Sequence, residues 1–230
     1  VSDAARALEG LLAHVPSALK RGGAARAAEA REALALHEDP LLAPFVPLCT
    51  TVREALPDAI WVGDSTAPAY AANHLLSLPA PRCFFNASTG YGTLGYGLPA
   101  ALGAQLGQPE RPVIGLVGDG GVMLSFSELA TAVEEHLPVV ILLWHNHGYE
   151  EIRRYMDAHG VERLGVDIQA PDFQVLAQGF GCAATRVTSP AELGQALRTR
   201  PAQAPYLIEI DAAAWCRQLG LPASTAAEAS

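Results

Sequence analysis

The chain has 230 residues, half of them hydrophobic, enough to bury one substantial core and to form one main domain with appendages. Its formal net charge is −9 and its basic residues pair up only at Lys20-Arg21 and Arg153-Arg154, which excludes a broad phosphate-tracking face and argues against a nucleic-acid partner. No apolar run reaches the length of a bilayer span, and the opening Val1-Ser2-Asp3 lacks the basic start of a signal peptide, so a cytoplasmic protein with no membrane partner is expected.

In chain order, "VSDAARALEGLLAHV" sets Ala5, Leu8, Leu11, Leu12 and Val15 at helical spacing. The following "KRGGAARAAEAREALALHEDP" is Ala-rich, charged and poor in large side chains. Residues 1–40 are therefore read as a short helix and a linker, the end of a preceding domain. From 41 to 212, apolar runs alternate with helical patterns. The runs are Ala59 to Gly63, Arg82 to Asn86, Pro112 to Gly118, Pro138 to His145, Cys182 to Val187 and Tyr206 to Ile210. Several are continuously hydrophobic, as strands covered on both faces must be. They predict a doubly wound, mainly parallel α/β sheet of about six strands with helices on both faces. Residues 213–230, which end in "GLPASTAAEAS", read as a disordered tail. Cys49, Cys83, Cys182 and Cys216 have no metal-type or redox-type spacing and are expected to be reduced and structural.

Two runs end in polar turns. Asp119 follows the Pro112 run and Asn146 ends the Pro138 run, while Ser125 and Glu128 form a capping-box signature for a helix between them. Ligands of such sheets bind outside the carboxyl ends of the strands, so a carboxylate and an amide oxygen are set at one rim. Mg²⁺ suits two hard oxygen ligands and completes its shell with phosphates and water. Gly118, Gly120 and Gly121 allow close backbone approach, and the helix that follows would offer unpaired N–H groups to a phosphate. Each polar residue alone would pass for an ordinary turn; the pair is more specific. A dinucleotide fingerprint starting at Gly118 fails, because Met123 stands where its last glycine is needed.

Elsewhere, Ser65 and Thr66 in "VGDSTAPAY" are placed to cap a helix, and "NASTGYGTLGYGLPAALGA" alone reads as a flexible loop before a helix near Leu98. His74 reads as a packed or surface residue and His147 as turn-forming, and no His/Cys cluster points to zinc.

"GDGG" followed by "HNHGY" resembles the thiamine-diphosphate signature, which begins with GDG and ends in two asparagines, of the superfamily of acetolactate synthase, pyruvate decarboxylase and benzoylformate decarboxylase. The resemblance runs from about Leu41 to Asp211. It implies thiamine diphosphate and Mg²⁺ as cofactors, with the cation held by the side chains of Asp119 and Asn146 and the Gly148 carbonyl. It places Gly118, Gly120, Gly121 and Tyr149 at the cofactor, and Ser65 and Thr66 on the diphosphate, Thr66 being favoured. The glycine-rich segment resembles the one that grips the aminopyrimidine ring, with Leu94 as the wedge beneath the bent cofactor and the Gly92 carbonyl accepting from the ring amine. His145 departs from the pattern, standing where the first asparagine falls.

The implied activity is decarboxylation of a small-molecule 2-oxo acid. A second, pyrimidine-binding domain of the same or a neighbouring subunit would supply a glutamate, in a homodimer or homotetramer, and the chain would be the C-terminal part of a longer enzyme. "DSTAPAYAANHLL" and "NHGYEEIRRYM" most resemble the 2-oxoarginine (5-guanidino-2-oxopentanoate) decarboxylase branch. Acetolactate synthase-like and benzoylformate decarboxylase-like enzymes, and a non-catalytic assembly module, remain alternatives. Glu150 and Glu151 follow the metal turn and are candidate partners for a guanidinium tail. Against this, acids in a first helical turn favour the helix dipole, and Arg153 and Arg154 are one turn away.

Overall fold

The structure, a computed structural model, describes residues 3–16, 22–33, 39–78 and 80–222. The chain divides into two compact units, Val1–Asp39 and Pro40–Ser230. In the first, α1 (Ala4–His14) starts at Asp3, whose carboxylate accepts from the Ala5 and Arg6 amides at 3.0 and 3.2 Å. Part of the expected linker is a second helix, α2 (Gly23–Ala33). Its alanines explain this, because alanine gives up no side-chain freedom on entering a helix. The rest of that linker lies outside the described residues.

The second unit is built on six parallel strands: β1 (Ile60–Gly63), β2 (Phe84–Asn86), β3 (Val113–Gly118), β4 (Val140–His145), β5 (Ala183–Val187) and β6 (Tyr206–Asp211). Their order across the sheet is β2-β1-β3-β4-β6-β5. All neighbours within the sheet are parallel. Each strand falls within or beside one of the six apolar runs. The β1–β2 connection leaves in one direction and β3–β4 in the other, so the sheet has its switch point between β1 and β3, where a crevice opens at the carboxyl edge.

Helices cover both faces, as continuous apolar strands require. On one face, α5 (Gly97–Gly107), α7 (Glu128–Glu134) and α9 (Phe173–Gly179) bring Leu98, Leu129 and Phe173 against Val62, Val117, Ile141 and Leu143. Side chains alternate along a strand, which turns Leu142 and Trp144 to the opposite face. There Trp144 meets Phe45 of α3 (Phe45–Ala55) at a ring separation of 4.9 Å. Further helices are α4 (Ala67–Leu75), α8 (Glu150–Ala158), α10 (Pro190–Arg198) and α11 (Ala212–Gln218). All four cysteines are buried, and burial pushes the Cys49 and Cys182 thiols up to about 12 and about 11, leaving them protonated and inert at neutral pH. Among the described residues no helix is long and apolar enough to cross a membrane.

Two local expectations are corrected. The tail expected from 213 begins with α11: Asp211 caps it through the Ala214 amide at 2.8 Å, and Trp215 is fully buried, its indole N–H donating to the Pro44 carbonyl at 2.8 Å. One large aromatic with a satisfied N–H is enough to dock a seven-residue helix whose other buried residues, Ala212 and Cys216, are small. The remainder of that tail, 223–230, lies outside the described residues. Nor does the capping box form. The chain makes one turn of helix, α6 (Asp119–Val122), and further turns before α7 starts at Glu128. Glu128 bonds the Thr131 hydroxyl at 3.0 Å, and the buried Ser125 hydroxyl has no partner.

If α11 is part of the folded unit, Trp215→Ala costs about 3–5 kcal/mol. Urea unfolding measures this, with the exposed Arg217→Ala as the near-neutral reference. Equal stability of the two variants would mean that α11 is not docked.

Candidate active site

The carboxyl edge of the sheet, at the switch point, opens into a cavity of about 510 Å³. Every residue expected at the site lines it. Ser65 and Thr66 come from the end of β1, and Gly92 and Leu94 from the glycine-rich loop. Gly118 to Gly121 come from the end of β3, and Asn146, Gly148 and Tyr149 from the end of β4, with Glu150 and Glu151 opening α8.

Asp119 sits at the centre and is 1 % exposed. Its Oδ1 accepts from the Gly120 amide at 2.8 Å and its Oδ2 from the Gly148 amide at 3.1 Å. Burial nevertheless raises its pKa, against the favourable field of His145 and the backbone donors. A desolvated carboxylate of this kind is where a cation offsets the loss of water.

Asn146 faces the same cavity. Its Nδ2 donates to Glu150 Oε2 at 2.6 Å, while its buried Oδ1 has no hydrogen-bond partner. An orphaned buried amide oxygen and an under-compensated carboxylate on residues lining one cavity are the hard-oxygen chemistry that fits Mg²⁺. Among the described residues no trio of His, Cys, Asp or Glu is arranged to chelate a metal.

The glycines turn out to make room for the protein's own side chains. A Cβ on Gly118 would come within 2.8 Å of Thr66 Oγ1, and one on Gly120 within 2.6 Å of the Tyr149 ring. The expected helix N-terminus is only the single turn of α6, and the Gly120 amide is already taken by Asp119. Polar atoms for a phosphate are found after β1 instead. Neither Ser65 nor Thr66 caps α4 with its side chain, and Ser65 Oγ is buried without a partner. The Gly92 backbone has φ +73°, which favours glycine at this bend beside Ser65.

Three residues carry structural roles that were not assigned from sequence. Asp64, 1 % exposed, accepts from Ser65 N at 2.8 Å and Gly95 N at 2.9 Å, tying the glycine-rich loop to the end of β1. Its signal was the repeated Val-Gly-Asp at 62–64 and 117–119. Arg153, expected to pair with acids of its own helix, is buried and donates to the carbonyls of Asn146 and His147 and to Asp167, each at 3.1 Å. It clamps the turn in which His147 and Gly148 have positive φ. Arg154 does pair along the helix, with Glu151 at 3.6 Å.

Glu209, fully buried on β6, accepts from His145 Nδ1 at 2.7 Å, Gln174 at 2.8 Å and Arg186 at 3.1 Å. A single acid inside "YLIEI" was its only sequence signal. His145, the departure from the signature, thus stands between two acids, with Nε2 3.8 Å from Asp119 Oδ2.

The chain matches, over residues 62–210, the family model described as "Thiamine pyrophosphate enzyme, C-terminal TPP binding domain". It belongs to that family. It is 42% identical over 200 residues to a Pseudomonas aeruginosa protein named "Probable 2-ketoarginine decarboxylase AruI", covering 85% of this chain and 36% of that one. To the benzoylformate decarboxylase of the same organism it is 36% identical over 155 residues, covering 66% of this chain and 29% of the relative. Among solved structures it is similar to the thiamine diphosphate-dependent 4-hydroxybenzoylformate decarboxylase of Rhodococcus jostii RHA1, with TM-score 0.66 and 36% identity over 72% of this chain and 32% of that one. The chain spans about a third of the length of these relatives.

The Glu209 cluster has a pH signature. Burial opposes the charge, but the three donors outweigh it and hold the carboxyl at about 2 against an ordinary 4.5. A depressed acid pKa contributes stability that is complete above the unfolded value and is lost as pH falls through the folded one. The destabilisation caused by Glu209→Gln should therefore shrink between about pH 5 and about pH 2 in urea titrations. A difference that stays constant with pH would show that the carboxylate is not held in this way.

Proposed function

We propose that the chain supplies the diphosphate and metal half of the active site of a thiamine-diphosphate- and Mg²⁺-dependent 2-oxo acid decarboxylase, with 2-oxoarginine as its substrate. The observation that carries the reading is the convergence of buried Asp119 with the unpartnered Asn146 oxygen at the switch point of the sheet. In this reading Asp119, Asn146 and the Gly148 carbonyl hold Mg²⁺. Ser65 and Thr66 offer hydroxyls to the diphosphate, flanked by Gly118, Gly120, Gly121 and Tyr149. Leu94 would serve as the apolar wedge against the cofactor, and the Gly92 carbonyl would be the acceptor for its aminopyrimidine. When bound, the thiazolium ring takes up the electrons released as carbon dioxide leaves. The chain's own contribution is placement: hard oxygens for the cation, hydroxyls for the phosphates and an apolar wedge that excludes water.

A pyrimidine-binding domain, from the same or a neighbouring subunit, completes the site, so the working enzyme is a homodimer or homotetramer. The substrate assignment is supported by the likeness to the Pseudomonas aeruginosa protein and by two acids, Glu150 and Glu151, lining the cavity. Benzoylformate decarboxylase-like activity is the second reading, favoured by the largely aliphatic and aromatic wall of Leu41, Phe45, Tyr70 and Trp144.

Calorimetric titration of the complete enzyme with thiamine diphosphate and Mg²⁺ tests the site. Asp119→Ala and Asn146→Ala should each lower affinity by at least about tenfold, because the cation loses a ligand. Undiminished affinity in both variants would remove the metal assignment.

Substrate class is tested separately by comparing 2-oxoarginine with an uncharged 2-oxo acid. Glu151→Gln should lower kcat/KM for 2-oxoarginine by about tenfold, an ion pair's worth of roughly 1.4 kcal/mol, and leave the uncharged acid nearly unchanged. Equal effects on both substrates would leave the guanidinium role without support.

A further inference from the structure

We infer that Glu150 is a positioning residue that sets the orientation of the Asn146 amide, turning its oxygen toward the cation site. The inference rests on the cation reading given above. An asparagine side chain is nearly symmetrical in shape, so packing alone does not choose between presenting oxygen or nitrogen to the cavity. Its partners choose. Here the partner is Glu150 Oε2, 2.6 Å from Asn146 Nδ2. A carboxylate only accepts, so the amide nitrogen must face Glu150 and the oxygen must face away from it. That oxygen is then buried without a partner, on a residue that lines the same cavity as Asp119.

The geometry that brings Glu150 into place is local and well braced. Glu150 follows Asn146 by four residues, in the first turn of α8, so its carboxylate reaches back over the turn. The turn is pinned by the Tyr149 amide bonding the Val166 carbonyl at 3.0 Å and by Arg153 gripping the Asn146 and His147 carbonyls. Asp119 has its orientation set by two backbone amides, and Asn146 has its own set by one acid. Without that acid the amide can turn its N–H₂ group to the cavity, where it would repel a cation. Outer partners of this kind typically change metal affinity by about 10–100-fold when removed.

A consequence follows for the substrate end of the cavity. One oxygen of Glu150 is committed to Asn146, so a cationic tail would meet Glu151, where it would compete with the exposed Arg154 pair at 3.6 Å.

The test uses Mn²⁺ as the probe, titrated calorimetrically into the complete enzyme with thiamine diphosphate present. Glu150→Ala should weaken Mn²⁺ binding by at least about tenfold. Glu150→Gln should stay within about threefold of wild type, since its amide oxygen accepts the same Asn146 N–H without the charge. Thermal unfolding of each variant confirms that it is folded, and Glu150→Gln carries the test if Glu150→Ala is not. Wild-type affinity in Glu150→Ala, or a loss in Glu150→Gln of tenfold or more, would overturn the orienting role; the second result would assign the effect to charge. Asp119→Ala is the separate control: undiminished Mn²⁺ binding there would overturn the cation reading, and this inference with it.

Discussion

The organisation of this protein depends on a carboxylate kept almost entirely out of water. Asp119 is buried at the carboxyl edge of the central strand pair, and its two oxygens bond one amide of its own turn and one amide of the turn after β4. Taking a carboxylate out of water costs several kcal/mol unless donors or a cation replace the hydration. Two backbone amides replace part of it, and burial still raises the pKa of the carboxyl. The Gly148 bond fastens the β3 and β4 turns to each other, so the buried carboxylate also fixes the shape of the site.

Around this centre the protein repeats one device, a buried charge tying the end of a strand to the loop beside it. Asp64 ties the end of β1 to the glycine-rich loop, Arg153 closes the turn after β4, and Glu209 joins β4, β5 and β6 through His145 and Arg186. Each group meets several donors or acceptors, although Arg153 Nε is buried without one, and a buried polar group with several partners rigidifies what it joins. Loops at the edge of a parallel sheet have no ladder of their own. The buried charges give these loops fixed positions, while Ser65 Oγ and Asn146 Oδ1 in the cavity are left without hydrogen-bond partners.

His145 shows how a departure from a signature can be absorbed. The signature's second polar position, Asn146, carries the ligand atom in the reading offered here, and His145 lies behind it, bonded to Glu209. An imidazole is longer than an asparagine amide and needs an acceptor farther away. The acid on β6 is that acceptor, reached across the strand pair by the register of His145 with Asp211.

The sequence by itself determined the six strands, the parallel α/β class and the gathering of residues 65–66, 92–94, 118–121 and 146–151 at one edge. The strands, the class and the shared rim of Asp119 and Asn146 follow from continuous apolar runs and from polar turns at their ends, which are local properties; residues 65–66 and 92–94 were assigned to the site by the family resemblance. It left open, or misjudged, whatever depends on a partner distant in the chain. The docking of α11 by Trp215 needs Pro44, the tie at Asp64 needs Gly95, and the cluster at Glu209 needs His145, Gln174 and Arg186. Even the local capping box at Ser125 failed, because the chain first spends a turn of helix on presenting Asp119. Periodicity reports which face of an element is apolar; it carries no information on which buried polar group meets which, and only the folded packing of the strand ends settled that.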